Sequence, residues 1–367
     1  MRSVDEELVR QTKALHGDAQ HPVHSVRMSN LVIFCDRREQ AERLADEASR
    51  VVEVHPARVL LVLGEAGLEA RGLSTSVWVR RLASRNDPCA CFEMVTLDAA
   101  GAAVGRLPFA VRALLVGDLP INLWWMASEP PPLAGAFLFD LAENAQQIIY
   151  DSRGWPAPTR AVAATASWLQ GIAQGLRGGR WRVASDLNWR RLKYWRRLLV
   201  QTLQPAATPG AIGTATDLLI EHGPQAEMQA WELVSWMTHR LGWKVRGGKA
   251  EPGIAINWRL EAPHGLVTVR IQASPTLSAA IGGDMDEIRQ IRLRCHLEDK
   301  PATLVFRAVD TTRLEAVTEG VATTARTITV QPRSLAELVG RQLSDRDRDP
   351  VFVECMAVAQ ALAQSLD

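Results

Sequence analysis

Two continuous apolar runs, NLVIFCD at 30–36 and ARVLLVLGE at 57–65, flank a segment, REQAERLADEASRVV at 38–52, whose apolar residues recur at helical spacing. Short apolar runs with β-branched members read as strands buried on both faces, and a helix-length crossover between two of them leaves them parallel. This strand–helix–strand unit commits the chain to an α/β layer architecture. Strand-like stretches follow at 74–80 and 91–98, a helix at about 107–116, the strand INLWWM at 121–126, a helix near 134–146, the strand QIIYD at 147–151 and a helix at about 159–174. Residues 1–28 read as a helical or loose leader.

After RGGKAEPG at 246–253 the apolar period changes to two. Ile254, Ile256, Trp258 and Leu260 alternate with Asn257 and Arg259. Val267, Val269 and Ile271 alternate with Thr268 and Arg270, and Ile291, Leu293, Cys295 and Leu297 with Arg292, Arg294 and His296. Leu304, Phe306, Ile328 and Val330 continue the pattern. Closely spaced strands of this kind form an antiparallel sheet with one wet face. Helices at about 334–343 and 350–365 are expected on its dry face. The expected fold is an α/β N-terminal domain with a mainly parallel sheet (29–245, with Trp-rich helices), plus an α+β C-terminal domain with an antiparallel sheet (246–367).

Enzyme signatures fail one after another. No phosphate-binding G-x-x-x-x-G-K-[ST] loop, H-E-x-x-H pair or G-x-S-x-G elbow occurs. The glycines of LGEAGLEARG follow a strand but miss the G-x-G-x-x-G spacing, and no glycine-opened helix follows. The metal-like pairs are HPVH (21–24) and CAC (89–91), each short of the roughly four ligands a zinc site needs. The five cysteines, Cys35, Cys89, Cys91, Cys295 and Cys355, fit a reducing cytoplasm better than a disulfide framework. The charged N-terminus lacks the apolar stretch of a signal peptide, and no window supplies about 20 apolar residues for a membrane span. No catalytic residue, cofactor or metal is therefore expected.

The formal net charge of +1 provides no global field toward nucleic acid or membrane. The aromatic usage is skewed instead, with 12 Trp against 7 Phe and 2 Tyr, and Trp is favoured in protein contacts because it buries a large area and keeps an N–H to offer. Three places concentrate the signal. In DLPINLWWMASEPPPL (118–133), Trp124 and Trp125 end a strand just before Pro130, Pro131 and Pro132. Either alternation sends one ring inward and one outward, with the prolines fixing an extended exit, or both rings are core. The segment 178–205 interleaves Arg180, Arg182, Arg190, Arg191, Lys193, Arg196 and Arg197 with Trp181, Trp189, Tyr194 and Trp195. Asp186 is placed to cap a helix there, and Leu192, Trp195, Leu199 and Leu203 form its core stripe. Such a helix suits a protein contact, a single-stranded nucleic acid or a merely solvated basic face. The third place is the wet face of the C-terminal sheet, where Arg259, Arg270, Arg292, Arg294 and Arg307 share one side, either solvated or docking an acidic or phosphorylated partner.

Read together, GDLPINLWWMASEPPP, IIYDSRGW, SDLNWRRLKYWRRLLVQ, WELVSWMTHRLGWKV and HPARVLLV make a sequence that resembles the glucose-6-phosphate dehydrogenase assembly protein family, also called OpcA. The matches run in order from about residue 30 to 245. The leader carries no matching motif, and Cys35, Cys89 and Cys91 cannot be matched to the cysteines of redox-controlled members. The resemblance implies a non-catalytic cytoplasmic protein that binds glucose-6-phosphate dehydrogenase, assists its assembly and raises its activity, in support of NADPH production. No nucleic acid and no membrane is expected as a partner. The partner-binding candidates are Trp124, Trp125, Asp186, Asn188, Trp189, Arg190, Arg191, Arg197, Arg292 and Arg294. The alternative is a ligand-binding or enzymatic α/β protein with a pocket at the strand ends.

Overall fold

The computed structural model describes residues 2–16, 24–81, 90–174, 183–274, 287–321 and 325–366. The chain begins with α1 (Arg2–His16), β1 (His24–Ser25), β2 (Ser29–Cys35), α2 (Arg38–Val54) and β3 (Ala57–Glu65). It continues through β4 (Arg71–Arg81), β5 (Ala90–Ala100), α3 (Leu107–Leu114), β6 (Ile121–Trp125), α4 (Ala136–Leu141) and β7 (Gln147–Tyr150). Next come α5 (Pro158–Ala173), β8 (Val183–Asp186), α6 (Leu187–Arg191), α7 (Lys193–Leu203), β9 (Asp217–His222) and α8 (Glu227–Leu241). The second half holds β10 (Lys244–Glu251), β11 (Ala255–Ala262), β12 (Gly265–Ala273), β13 (Ile288–Leu297) and β14 (Lys300–Asp310). It closes with β15 (Arg313–Glu319), β16 (Arg326–Thr329), α9 (Leu335–Ser344) and α10 (Pro350–Gln364).

The chain divides into two compact units, each built from separated segments. The first comprises Met1–Asp151, Gly175–Leu187 and Arg333–Arg348. Its sheet has the order β1-β5-β3-β2-β6-β7-β8, and β4 pairs with β5 outside that path. Every pairing is parallel except β4 with β5. Every residue of β2, and all but the last of β3, is buried, as expected of strands covered on both sides. One cover is α2, whose Ala41, Leu44, Ala45, Ala48, Val51 and Val52 face inward at helical spacing. The other helix on this core is α9, through Ala336, Leu338, Val339 and Leu343. That corrects the expectation that the 334–343 helix would lie on the antiparallel sheet. Ser334 and Glu337 close a reciprocal capping box at its start. The arginine of HPAR, Arg58, is buried: its guanidinium meets Glu93 at 2.8 Å and its Nη1 donates to the Leu114 carbonyl at 3.1 Å. Arg27 is the second cation on Glu93, so the buried carboxylate is neutralised.

The second unit comprises Ser152–Gln174, Asn188–Pro332 and Asp349–Asp367. Its sheet runs β10-β11-β12-β9-β13-β14-β15-β16, antiparallel except for β9 with β12. The sequence grouped 159–174 and 225–243 with the parallel sheet, whereas α5 and α8 belong to this second unit, with β9 as an added central strand. The register sets Trp258, Val269, Leu218, Leu293 and Leu304 in one row across the sheet, all buried. Trp231 of α8 packs edge-on against Trp258 with ring centroids 4.8 Å apart, and Trp258 Nε1 donates to the Leu362 carbonyl of α10 at 3.2 Å. Every α8 residue from Met228 to Thr238 is buried, in line with its apolar circumference. Gly242 ends α8 with φ +66, and the Trp243 N–H returns to the Thr238 carbonyl at 3.0 Å, a Schellman closure that needs a left-handed residue. Ile254 departs from the expected alternation: it lies in the turn before β11 and is 63% exposed.

Candidate functional site

Ligands of parallel α/β sheets sit beyond the carboxyl ends of the strands. Here that end of β2 and β6 is filled by side chains. Phe34, Trp125 and Phe137 stack with centroid separations of 4.6 Å (Phe34–Trp125) and 4.9 Å (Phe34–Phe137). Trp125 Nε1 donates to the Glu129 carbonyl at 2.9 Å, and Asp36, in the turn after β2, accepts from the Ser128 N–H and hydroxyl at 2.9 and 3.0 Å. The turn that would cradle a phosphate is thus tied to the segment after β6. Pro130 is extended (φ −53, ψ 144), but Pro131–Ala134 then coil into a 3₁₀ turn in place of the expected extended exit.

Trp124 and Trp125 are both interior, 0% and 2% exposed. Alternation does send them to opposite faces, but both faces of a parallel sheet are dry. Trp124 joins the core under α2 and α9, and Trp125 joins the Phe34 cluster. Neither ring stands at the surface of its unit, which corrects the outward-ring expectation.

The tryptophan–arginine segment is not one helix. It breaks at Leu192 (φ −70, ψ −4) between α6 and α7. Trp181, Arg180 and Arg182 lie outside the described residues. Asp186 is the final residue of β8, buried beside Tyr150 and directly ahead of α6. Asn188 is wholly buried. Its amide donates to Ser152 Oγ at 2.8 Å, and its oxygen accepts from Gln229 Nε2 at 3.1 Å and Arg191 Nη1 at 2.6 Å. Trp189, 6% exposed, donates to Asp349 Oδ2 at 2.7 Å, while Asp349 also caps α10 by accepting from the Phe352 N–H. The Arg196 guanidinium lies 3.4 Å from the Trp189 ring centroid, and burial lowers its pKa to about 10, still cationic at neutral pH. Leu192, Trp195, Leu198 and Leu199 face the core, while Leu203 is only partly covered.

This segment is therefore mostly an internal fastening. Asp186, Asn188 and Trp189 are buried polar anchors, which corrects their place among the contact residues. Arg190 and Arg191 are half-buried, and Arg197 is exposed. Sequence reasoning missed Gln229 and Asp349, although a glutamine amid the apolar residues of α8 was a visible sign of a buried amide partner.

The open face of the antiparallel sheet is as the alternation implied. Arg270, Leu219, Arg292 and Val305 stand in one row across β12, β9, β13 and β14, and Arg259, Thr268, Asp217, Arg294 and Thr303 in the next. Arg259, Arg292, Arg294 and Arg307 are exposed and Arg270 is half-buried. Arg307 pairs with Glu315 at 2.9 Å. Among the described residues no carboxylate lies within 4.0 Å of the Arg259, Arg270, Arg292 or Arg294 guanidinium, so their charge is available at the surface. Adjacent strands lie about 4.8 Å apart, so these four cations sit within roughly 20 Å of one another around Leu219 and Val305.

Among the described residues no three His, Cys, Asp or Glu side chains gather to hold a metal. Cys35, Cys91, Cys295 and Cys355 are buried free thiols. Burial pushes Cys35 and Cys355 up to about 12 and Cys91 up to about 11, so none is a ready thiolate. Cys89 and His21 lie outside the described residues. No helix among the described residues is long and apolar enough to cross a membrane.

Two family models match the chain in succession: the glucose-6-phosphate dehydrogenase subunit N-terminal domain at residues 46–167 and the corresponding C-terminal domain at 182–356. A Synechocystis protein named by inference as OxPP cycle protein OpcA is 24% identical over 280 residues, covering 75% of this chain and 56% of that protein. A Synechococcus elongatus protein of the same name is 27% identical over 283 residues, covering 75% of this chain and 60% of its own length. The chain thus spans about half the length of the curated relatives it matches. Among solved structures, the dehydrogenase MviM of Clostridium difficile superposes with a TM-score of 0.44 at 7% identity, covering 91% of this chain and 97% of its own. With two consecutive domain models accounting for most of its length, the chain belongs to the OpcA family of glucose-6-phosphate dehydrogenase subunits.

Proposed function

We propose that this chain is a non-catalytic assembly factor that binds glucose-6-phosphate dehydrogenase in the cytoplasm and promotes its active oligomer, thereby supporting NADPH production. One observation carries the reading: an open sheet face on which Arg259, Arg270, Arg292 and Arg294 have no carboxylate partner among the described residues. Guanidinium groups held in register on a rigid sheet suit a carboxylate-rich protein surface, because each presents a planar fork of donors. Leu219, half-buried in the row between Arg270 and Arg292, supplies an apolar centre for such a contact. Arg197 and Arg190 belong to the same proposal as peripheral contacts. The pocket alternative is disfavoured by the Phe34–Trp125–Phe137 packing at the strand ends.

The test is Arg292→Glu combined with Arg294→Glu, mixed with the cognate dehydrogenase. Charge at such a rim acts mainly on encounter, so association should slow by about tenfold or more at low salt and the difference should shrink as salt rises. Melting should stay within about 0.5 kcal/mol of wild type, since exposed charges contribute little to stability. Unchanged association at low salt would remove this face from the contact. Unchanged kinetics and oligomeric state of the dehydrogenase with the wild-type chain would overturn the function itself.

A further inference from the structure

The first unit carries a second surface that the arginine face does not involve. Among the described residues, strand β4 pairs with β5 on one side and is an edge on the other. Its side chains are exposed on both sides along Arg71–Ser76, and Leu73 and Trp78 are each 38% exposed. A strand this long and this uncovered is normally protected against pairing. Backbone groups alternate across an antiparallel strand, so Thr75, Val77 and Val79 turn their N–H and C=O groups away from β5.

One side chain occupies part of that edge. Gln11 of α1 donates through Nε2 to the Val77 carbonyl at 2.9 Å, and its Oε1 accepts from the Val79 N–H at 3.0 Å. These are the two bonds that a residue of an added parallel strand would make opposite Trp78. A glutamine amide here substitutes for a peptide group. No bond of this kind is made at Thr75 among the described residues, and its edge is open.

Charge indicates what could replace the glutamine. β4 holds Arg71, Arg80 and Arg81 and no acidic residue. Antiparallel pairing with a second copy about Ser76 would set Arg71 against Arg81, which like-charge repulsion disfavours. Arg80, 4.9 Å from the Trp78 ring centroid, offers a cation and an aromatic face to one side of an incoming strand.

We propose that the β4 edge is a docking site for an extended acidic segment of a protein partner, which adds as a strand along Thr75–Val79 and displaces the Gln11 amide. Main-chain bonds supply the affinity, and Arg80 and Arg81 at one end select acidic partners.

The test uses the full chain and a labelled synthetic peptide of about nine residues, the length of an ordinary strand, with alternating Thr and Val and Glu at both ends. Binding is read by fluorescence anisotropy. Gln11→Ala removes the two bonds that now occupy Val77 and Val79 and should tighten binding several-fold. Thr75→Pro removes an outward N–H that β5 does not use, a position where edge strands tolerate proline, and should weaken binding about tenfold or more while melting is unchanged. If Thr75→Pro lowers the melting temperature, Arg80→Glu with Arg81→Glu provides the same reading without touching the backbone. Equal affinity in wild type, Gln11→Ala and the blocking variants, or no binding at all, would overturn the proposal. So would self-association of the wild type that Thr75→Pro abolishes, which would assign the edge to a second copy.

Discussion

Replacing Asn188 by Leu tests whether the D-L-N-W segment is an internal fastening. Asn188 is wholly buried, and leucine matches its volume approximately but can make none of its bonds. Three bonds are lost, to Ser152 Oγ, from Gln229 Nε2 and from the Arg191 guanidinium. A neutral bond contributes about 0.5–1.5 kcal/mol net, one to a charged group about 1.5–3, and a stranded buried donor costs about 1–3 more. Gln229, 1% exposed, would be left with such a donor. These contributions overlap, so the expected loss is about 3–5 kcal/mol rather than their full sum. In a domain of 150–250 residues, 3 kcal/mol corresponds to a fall of about 6–12 °C in melting temperature. Asn188→Asp is the control. Its carboxylate still accepts from Gln229 and Arg191, and the Ser152 hydroxyl can turn to donate, so most of the loss should be restored. Urea titration followed by tryptophan fluorescence gives both numbers. A leucine variant within about 1 kcal/mol of wild type, or an aspartate variant as unstable as leucine, would refute the network as the reason for this residue.

Gly248 permits β10 to lie over Trp258: an added Cβ would meet Trp258 Cδ1 at 2.6 Å and Leu366 Cδ2 at 2.7 Å. Because that indole is fully buried, Gly248→Ala should cost about 1–3 kcal/mol by overpacking, and a melting temperature equal to wild type would show that the ring can shift. His222 is buried with its Nδ1 donating to the Gly223 carbonyl, and burial lowers its pKa. The unfolded chain then binds a proton near pH 6.5 that the folded chain refuses, so stability should hold above about 6.5 and fall as the pH drops toward 5. His55, also lowered by burial, acts in the same direction, so His222→Gln should flatten the pH slope of urea midpoints only in part, and an unaltered slope would refute the assignment.

Much of the fold was legible because local patterns report what covers an element. NLVIFC and ARVLLVLG are strands because both their faces are dry, and 38–54 is a helix because one stripe is. The alternation of Ile291 to Leu297 with Arg292 and Arg294 by itself places those arginines on a wet face. Three features were not legible, and each depends on distant partners. β9 is only six residues long and becomes a central strand through neighbours from β12 and β13, which follow it by about 50 and 75 positions. The helix at 335–344 is amphipathic and would fit either sheet; the Ala336 N–H donating to the Glu47 carboxylate and the core beside α2 assign it to the parallel one. Periodicity specifies which side of a residue is dry, but not which element dries it. Trp124, Trp125, Asn188 and Trp189 therefore read equally well as contact or core residues in the sequence. What decided among them was the second cover on the parallel sheet and the arrival of Ser152, Gln229 and Asp349 from elsewhere in the chain to satisfy their polar atoms.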